Sequence, residues 1–261
     1  MTDIDLSKYK YRYETHMHTS EGSACGHNRG DEMARACFEA GYDGIFITDH
    51  AWGGNTAVDR SLPWREWVYQ FALGYEHAKA WGDTNGFKVW FGYESGYNAT
   101  EFLIYGITPD WMADHPELHD ATIPEQLDII HSGGGMVVQA HPYREEFYIP
   151  EVRLFPEYAD AIEGINATHT NPLSKGHKSD VWNDRAIELA RSNNKPITAG
   201  SDIHTTIVFG GGILTDAPIN SPREYISLIL GNQMYLISDG VTLHDRYGEP
   251  IGRDRFLPED I

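Results

Sequence analysis

The chain has 261 residues, 41% of them hydrophobic, and is long enough to bury a large core as a single domain over residues 1–261. Its 39 acidic and 20 basic side chains give a formal net charge of −19, which repels the phosphate backbone of nucleic acid and anionic membrane surfaces. We therefore expect no long nucleic acid and no membrane among its partners.

The cysteines and the N-terminus indicate a cytoplasmic protein. Cys25 and Cys37 form neither a CxxC pair nor a disulfide framework, which fits a reducing compartment. The first residues lack a basic start followed by an apolar run, and no apolar stretch approaches the roughly 18 residues of a membrane span. We accordingly expect cytoplasmic localisation.

Short β-branched or aromatic runs alternate with segments of helical period, which is typical of parallel strands joined by helices. A helix over 31–40 precedes a strand over 44–48, and a helix over 63–81 with an aromatic face precedes a strand over 88–91. The later predicted elements are strands over 102–105, 136–139, 161–165 and 196–199, and helices over 124–131, from a Ser179 cap to 191, and from a Ser221 capping box to about Gly231. The pattern predicts one α/β barrel of roughly seven or eight strands.

Residues that bind metals fall repeatedly where a predicted strand ends. His16 and His18 close the segment 11–15, and alternation along a strand turns both imidazoles to one side. Asp49 and His50 follow the next strand. Because the carboxyl ends of barrel strands form one face, these side chains are expected to converge there.

Three further strand ends carry the same residue types. Glu94 ends the segment 88–94, His141 follows an apolar strand, and Asp202 and His204 form another i, i+2 pair. Seven candidate ligands exceed what one tetrahedral zinc site with three protein ligands and a water requires. The sequence therefore predicts a centre of two or three divalent metal ions.

In this order, the motifs resemble those of the PHP (polymerase and histidinol phosphatase) superfamily, and the resemblance runs from about residue 16 to 204. The matching segments are His16-Met-His-Thr19, Thr48-Asp-His50, Glu94, Ala140-His-Pro142 and Gly200-Ser-Asp-Ile-His204. The resemblance implies a distorted (β/α)7 TIM-like barrel, a trinuclear site of zinc, manganese or iron, and usually phosphoesterase activity.

The resemblance also implies which residues hold each ion. A first metal would be bound by His16, His18, Glu94 and Asp202, and Glu94 would bridge to a second metal that also binds His141. A third metal would be bound by His50 and His204.

Two departures from the family pattern concern the remaining ligands. The loop that often supplies an Asp or His to the third metal offers Glu21, Cys25 or His27 here, and we favour Glu21 as a hard oxygen ligand. A histidine that commonly opens the strand after the bridging glutamate is absent. Glu101 lies in that region, so the second metal is either weakly held or borrows Glu101.

We expect a metal-activated hydroxide to attack the phosphate ester of a small phosphorylated metabolite. Asp49 is the candidate to orient a histidine or accept a proton, and Arg144, His177 and Lys178 are the candidates to bind the substrate phosphate. Two alternatives stay open, because a metal hydroxide also attacks amides and lactones and because a PHP domain can be a noncatalytic metal-binding accessory barrel.

Overall fold

A computed structural model describes residues 4–231 and 233–258. Within these residues it contains eleven strands, which form one sheet. The strands are β1 Tyr11–Glu14, β2 Gly44–Ile47, β3 Lys88–Tyr97, β4 Thr100–Tyr105, β5 Met136–Gln139, β6 Ala161–Asn166, β7 Ile197–Gly200, β8 Gly211–Thr215, β9 Leu236–Asp239, β10 Thr242–Asp245 and β11 Pro250–Arg253.

The sheet combines parallel and antiparallel pairs in the order β11-β10-β9-β8-β1-β2-β3-β4-β5-β6-β7. β1, β2 and β3 are parallel neighbours, and so are β5, β6 and β7. β4 runs antiparallel between these two groups, and β8 to β11 form an antiparallel extension beside β1. The chain is therefore a mixed α/β fold, whose strand order does not establish a count of seven β/α units.

Each helix predicted from the sequence is present, although the one predicted over 63–81 is divided into two. They are α1 Gly30–Glu39, α2 Trp64–Phe71, α3 Leu73–Asn85, α4 Pro109–Ala113, α5 Ile123–Ser132, α6 Ala167–Thr170, α7 Trp182–Ser192 and α8 Pro222–Leu230, with 3-10 turns at Leu6–Lys8, Pro116–His119 and Pro156–Tyr158. The helix expected over 63–81 is broken at Ala72. α3 packs against α1, and a Cβ on Gly30 would lie 1.8 Å from the Gly74 carbonyl oxygen. The break at Ala72 was not predicted because the aromatic periodicity of residues 63–81 does not indicate this close contact between α1 and α3.

Large aromatic side chains fill the interior of the curled sheet. The hydroxyl of Tyr105 on β4 donates a hydrogen bond to the carbonyl of Thr15, which directly follows β1. β4 and β1 are not neighbours in the sheet, so this bond spans its interior. Phe46 packs against Tyr105 and Tyr225 with ring centroids 4.9 Å apart, which adds van der Waals contact to the burial of apolar surface. β7 also lies against β8 and β9 across the curl. The result is a half-barrel, and this agrees with the predicted barrel-like α/β class.

Local sequence signals account for two helix boundaries. Thr122 and Glu125 form a reciprocal capping box at the start of α5. The Ser221 hydroxyl accepts the Glu224 N–H at 3.2 Å at the start of α8, which ends before Gly231 as predicted. In the described part of the chain, no helix has the length and apolar character that a bilayer crossing requires.

Candidate metal centre

The predicted strand-end residues meet at one end of the half-barrel. His16 and His18 follow β1, His50 follows β2, and Glu94 lies in β3, where it forms a parallel bridge with His50. His141 follows β5. Asp202 and His204 follow β7, whose end is joined to the end of β1 by the bridge between residues 17 and 203. Parallel strand ends thus bring these seven predicted ligands together.

Glu94 is at the centre of the cluster and is fully buried. Its Oε1 lies 3.0 Å from His141 Nε2 and 3.4 Å from His16 Nε2. Its Oε2 lies 2.8 Å from His50 Nδ1 and 3.6 Å from His18 Nε2. Each carboxylate oxygen therefore faces a different pair of imidazoles, which is the arrangement a bridging ligand requires.

Asp202 is the second carboxylate of the cluster. Its Oδ1 lies 3.0 Å from His18 Nε2, 3.5 Å from His16 Nε2 and 3.8 Å from His204 Nε2. Its Oδ2 accepts from the guanidinium of Arg144. One oxygen thus faces the imidazoles while the other is held by a buried cation.

The charges around the two carboxylates keep them ionised. Burial alone would raise the pKa of Glu94, but His50 and His16 outweigh it and hold the pKa well below its usual range. Burial likewise opposes ionisation of Asp202, and His16 together with Arg144 holds its pKa well below the usual range. Both groups are therefore available as anionic ligands.

The donor atoms fit a divalent cation. His16 Nε2 is buried without a hydrogen-bond partner, and His50 Nδ1 and Glu94 Oε2 are buried 2.8 Å apart without the alignment of a hydrogen bond. Leaving buried polar atoms unpaired is unfavourable unless an ion satisfies them. Groups of three ligand atoms also lie within 4.8 Å of one another, among them His16, His18 and Glu94, and separately His18, His50 and His204. Imidazole and carboxylate donors suit zinc, manganese or iron.

Glu163 in β6 orients two of the ligands, and the sequence analysis missed it. Its Oε1 lies 2.8 Å from His16 Nδ1, and its Oε2 accepts from the backbone N–H of His141 at 3.0 Å and from Asn166 Nδ2 at 3.1 Å. A proton on His16 Nδ1 leaves the Nε2 lone pair directed into the cluster. The available signal was a charged residue inside an apolar strand.

Glu14 has a similar role in the backbone and was also missed. Its Oε1 accepts the N–H groups of Thr15, His16 and Ser201, each at 2.9 Å, so it fastens the end of β1 to the end of β7. Burial raises its pKa to about 7, against the lowering effect of these hydrogen bonds. The two strand ends that carry four of the ligands are therefore joined through one buried carboxyl group.

Asp49 acts on the cluster indirectly. Its carboxylate accepts from Thr19 N and Thr19 Oγ1, both at 2.6 Å, and from Ser23 Oγ at 2.7 Å. Ser23 Oγ lies 3.1 Å from His18 Nδ1 and accepts the His50 N–H at 2.9 Å. Since the serine proton is directed to Asp49, the oxygen can accept from His18 Nδ1. Asp49 thus orients a histidine through Ser23. Its carboxylate is hydrogen-bonded to Thr19 and Ser23 and not to a candidate ligand, so its proposed role as a proton acceptor stays a prediction.

Two ligands lie on unusual backbone. His141 has φ of 27° and Asp202 has φ of 56°, both in the left-handed region that L residues rarely adopt. Such conformations persist only where the surroundings fix them, and they concentrate at functional sites. Here the His141 N–H is held by Glu163 and the Asp202 N–H by the carbonyl of His16 at 2.7 Å.

In the loop between β1 and α1, the residue predicted to complete the third metal site lies away from the cluster. Glu21 accepts from the Gly30 N–H at the start of α1 and lies 2.8 Å from His77 Nδ1, so it does not join the cluster. Our choice of Glu21 is therefore corrected. Cys25, the alternative, lines a cavity that His204 also lines. Burial would raise the pKa of this thiol, but His204 and His50 lower it to about 7.

Glu101 occupies the region of the missing family histidine. It is in β4, paired with β3 in the hairpin, and its oxygens lie 3.5 Å from His50 Nδ1 and 3.6 Å from His141 Nε2. Burial and the neighbouring Glu94 raise its pKa. His50, Glu94 and Glu101 form a further group of convergent ligand atoms. Glu101 thus lies where a borrowed ligand was considered from the sequence, and its ligand role stays a prediction.

The three predicted substrate-binding cations have different surroundings. Arg144 is buried against Asp202 and holds that carboxylate, and it also lines a small cavity together with Glu101 and His141. Lys178 donates to the Asn171 carbonyl at 2.5 Å and is absent from the cavity beside the cluster. His177 does line that open cavity of about 370 Å³, together with Cys25, His204 and the exposed Lys175. The prediction for Lys178 is therefore corrected, whereas the substrate-binding role of Arg144 stays a prediction.

Comparisons with known proteins support the family resemblance. The PHP-associated family model (PHP_C) matches residues 181–212, and no curated protein sequence matches the chain significantly. A two-domain Bacteroides vulgatus protein containing a predicted PHP-like metal-dependent phosphoesterase is similar with a TM-score of 0.65 at 14% identity, over 91% of this chain and 67% of that one.

Two further solved structures share the fold. A candidate metal-dependent phosphoesterase from Bifidobacterium adolescentis has a TM-score of 0.51 at 13% identity, over 84% of this chain and 96% of that one. An amidohydrolase from Chromobacterium violaceum with bound sulfate and no metal has a TM-score of 0.53 at 15% identity, over 79% of this chain and 92% of that one.

Proposed function

From the PHP-type domain that this chain carries, we propose that the protein is a metal-dependent phosphoesterase that acts on small phosphorylated molecules. The observation that carries the proposal is the convergence of seven histidine and carboxylate side chains at one end of the half-barrel, beside an open cavity that Lys175 and His177 line. Catalytic sites of barrel enzymes lie at this face.

His16, His18, Glu94 and Asp202 would hold one ion, His141 with Glu94 a second, and His50 with His204 a third. Divalent ions bound there would polarise a phosphoryl group and lower the pKa of a bound water to near neutrality. No side chain is then needed as a nucleophile.

The chain's own residues contribute orientation and charge. Glu163 and the Asp49–Ser23 pair fix the tautomers of His16 and His18, so that the Nε2 lone pairs face the cluster. Arg144 balances the charge of Asp202. These contacts preorganise the site before substrate binds.

Lys175 and His177 provide substrate recognition in this account. Both line the cavity that reaches His204, and the Nδ1 of His177 is 2.8 Å from Glu146, which fixes the imidazole orientation. On a chain of net charge −19, the Lys175 cation at the cavity raises the local concentration of an anionic substrate. Small phosphate esters fit an opening of this size, and long nucleic acids are disfavoured by the overall charge.

A second candidate function is hydrolysis of an amide or lactone at the same centre. The fold shared with an amidohydrolase favours it, although sulfate in that structure is a tetrahedral oxyanion like phosphate. Activated water attacks carbon as well as phosphorus, so the ligand set alone is compatible with both.

The test is a substrate panel assayed on metal-stripped protein reloaded with zinc or manganese. We expect hydrolysis of phosphomonoesters to an alcohol and phosphate, or of phosphodiesters to an alcohol and a phosphomonoester. This activity should be lost in Glu94→Gln and retained in Glu188→Gln, which makes the same change at an exposed position on α7. Hydrolysis confined to lactones or amides would favour the second candidate. Bound metal without hydrolysis of any substrate would indicate an accessory barrel.

A further inference from the structure

The buried guanidinium of Arg144 is held on two sides. Its Nη2 donates to Asp202 Oδ2, and its Nε donates to His169 Nε2 at 3.4 Å. All three residues are buried, and His169 lies in the short helix α6 that follows β6. Among the residues that the structure describes, His169 belongs to none of the convergent groups of ligand atoms. A ligand carboxylate and a histidine outside the cluster therefore fix the guanidinium between them.

The amide of Asn183 in α7 determines which nitrogen of His169 carries the proton. Its Nδ2 donates to the Asn166 carbonyl at 3.1 Å, and its Oδ1 accepts the Asn166 N–H at 3.1 Å. These two contacts fix the orientation of the amide, because the reverse orientation would pair two acceptors and two donors. The same Oδ1 lies 2.9 Å from His169 Nδ1, which is therefore the donor. A proton on Nδ1 leaves the lone pair on Nε2, where Arg144 donates.

The surroundings of this imidazole tie it to the residues that hold the metal ligands. The ring of Trp182 packs edge-on against His169, with centroids 5.0 Å apart and an interplanar angle of 81°. At the start of α6, Asn166 Nδ2 donates to Glu163 Oε2 at 3.1 Å and lies 3.3 Å from Asp202 Oδ2. The short helix is thus fixed to a ligand carboxylate and to the carboxylate that orients His16.

A neutral acceptor has a specific advantage at this position. A carboxylate in place of the imidazole would add a buried anion and would compete with Asp202 for the guanidinium. The lone pair of a neutral imidazole accepts from Arg144 without adding charge. The positive charge of Arg144 therefore stays available to the ligand carboxylate.

We propose that His169 is a positioning residue that fixes the guanidinium plane of Arg144 and, through it, the orientation of the Asp202 ligand. Asn183 sets the tautomer that makes this possible. The expected consequence is tighter metal binding, because outer partners that orient a ligand raise its affinity for the ion. This inference rests on the metal centre of the proposed function but not on the identity of its substrate.

The first test determines the tautomer in metal-stripped wild-type protein. A long-range proton–nitrogen NMR spectrum of the imidazole rings separates protonated from unprotonated nitrogens, and the signals of His169 are those that disappear in His169→Gln. We expect a protonated Nδ1 and an unprotonated Nε2 near neutral pH. A proton on Nε2 would overturn the inference, because this nitrogen could not then accept from Arg144.

The second test measures zinc affinity by chelator competition, with thermal melts in chelator to establish folding. H169Q keeps an acceptor oxygen and should bind zinc within about twofold of wild type, whereas H169L lacks one and should bind roughly 3- to 10-fold more weakly, as the loss of one hydrogen bond predicts. His131→Leu is the matched control, since it removes an exposed imidazole on α5. Equal affinity of H169L and H131L, or an H169Q protein no better than H169L, would refute the acceptor role.

A double-mutant cycle separates positioning from general packing. Arg144→Lys keeps a positive charge for Asp202 but lacks the planar fork that contacts both partners at once. H169L should therefore lower the zinc affinity of R144K protein by less than about twofold, and equal losses in the two backgrounds would overturn the inference. The predicted zinc affinities in a protein that hydrolyses no phosphate ester would refute the proposed substrate class and leave the His169 assignment standing.

Discussion

Glu163→Gln is the substitution that most specifically tests how the centre is organised. Glu163 contacts no proposed substrate atom, yet it lies 2.8 Å from His16 Nδ1 and accepts the His141 N–H at 3.0 Å. A glutamine retains the shape but has one accepting oxygen and no charge. A hydrogen bond to a charged group contributes about 1.5–3 kcal/mol, which corresponds to roughly a 10- to 150-fold change in affinity.

We therefore expect E163Q to bind zinc roughly 10- to 100-fold more weakly than wild type, in the range observed for partners that orient metal ligands. The assay is competition with a chromophoric chelator, with E188Q as the charge-matched control. Thermal melts in the presence of chelator establish that E163Q folds. Zinc affinity of E163Q equal to that of E188Q would refute the view that Glu163 fixes the tautomer of His16.

Three further substitutions test other parts of the account. Gly26→Ala should destabilise the protein by about 1–3 kcal/mol because its Cβ meets the Thr19 carbonyl, whereas Gly176→Ala, with no atom within 4 Å of the added Cβ, should melt like wild type. Lys175→Ala should raise KM for a phosphate ester up to about fivefold with kcat unchanged, and Lys178→Ala should leave both unchanged in the same steady-state assay. In metal-free protein, burial raises the pKa of Glu14 to about 7 from 4.5, so the native state binds more protons than the unfolded state between these values. Wild type should accordingly lose stability relative to Glu14→Gln as pH rises from 4.5 to 7 in urea unfolding, and a difference that is constant with pH would contradict the burial of an ionisable Glu14.

The convergence of the candidate ligands could be predicted because it depends on local rules. Residues i and i+2 of an extended segment share a face, and parallel strands place their carboxyl ends at one edge. His16 with His18 and Asp202 with His204 follow from these rules alone. The curl of the sheet brings the end of β1 next to the end of β7, so the two pairs meet. The family motifs implied this meeting.

The residues that orient the ligands escaped prediction because their partners are distant in sequence. Glu163 is 147 residues from His16, and nothing in 161–165 except a charge in an apolar run marks it. A buried charge is rare unless it is paired, so that run held a usable signal. Glu21 was misassigned because residue type suggested a ligand, whereas the N-terminus of α1 binds its carboxylate.

The antiparallel parts of the sheet were missed for a different reason. β4 reverses direction through a tight turn at Asn98 and Ala99, both with positive φ, and the sequence lacks the glycine that usually marks such a turn. β8 to β11 contain glycine, proline or charged residues within four or five positions, so they lack the near-continuous apolar run by which β2 and β5 were predicted.

Metal content per chain tests the central claim most directly. Wild type and Glu94→Gln are stripped with chelator, dialysed against zinc and manganese together, and analysed by elemental analysis. We predict two or three ions per wild-type chain and the loss of at least one in E94Q, because Glu94 faces four imidazoles at once. Less than one ion per wild-type chain, or the same count in both proteins, would contradict the assignment of this cluster as a metal centre.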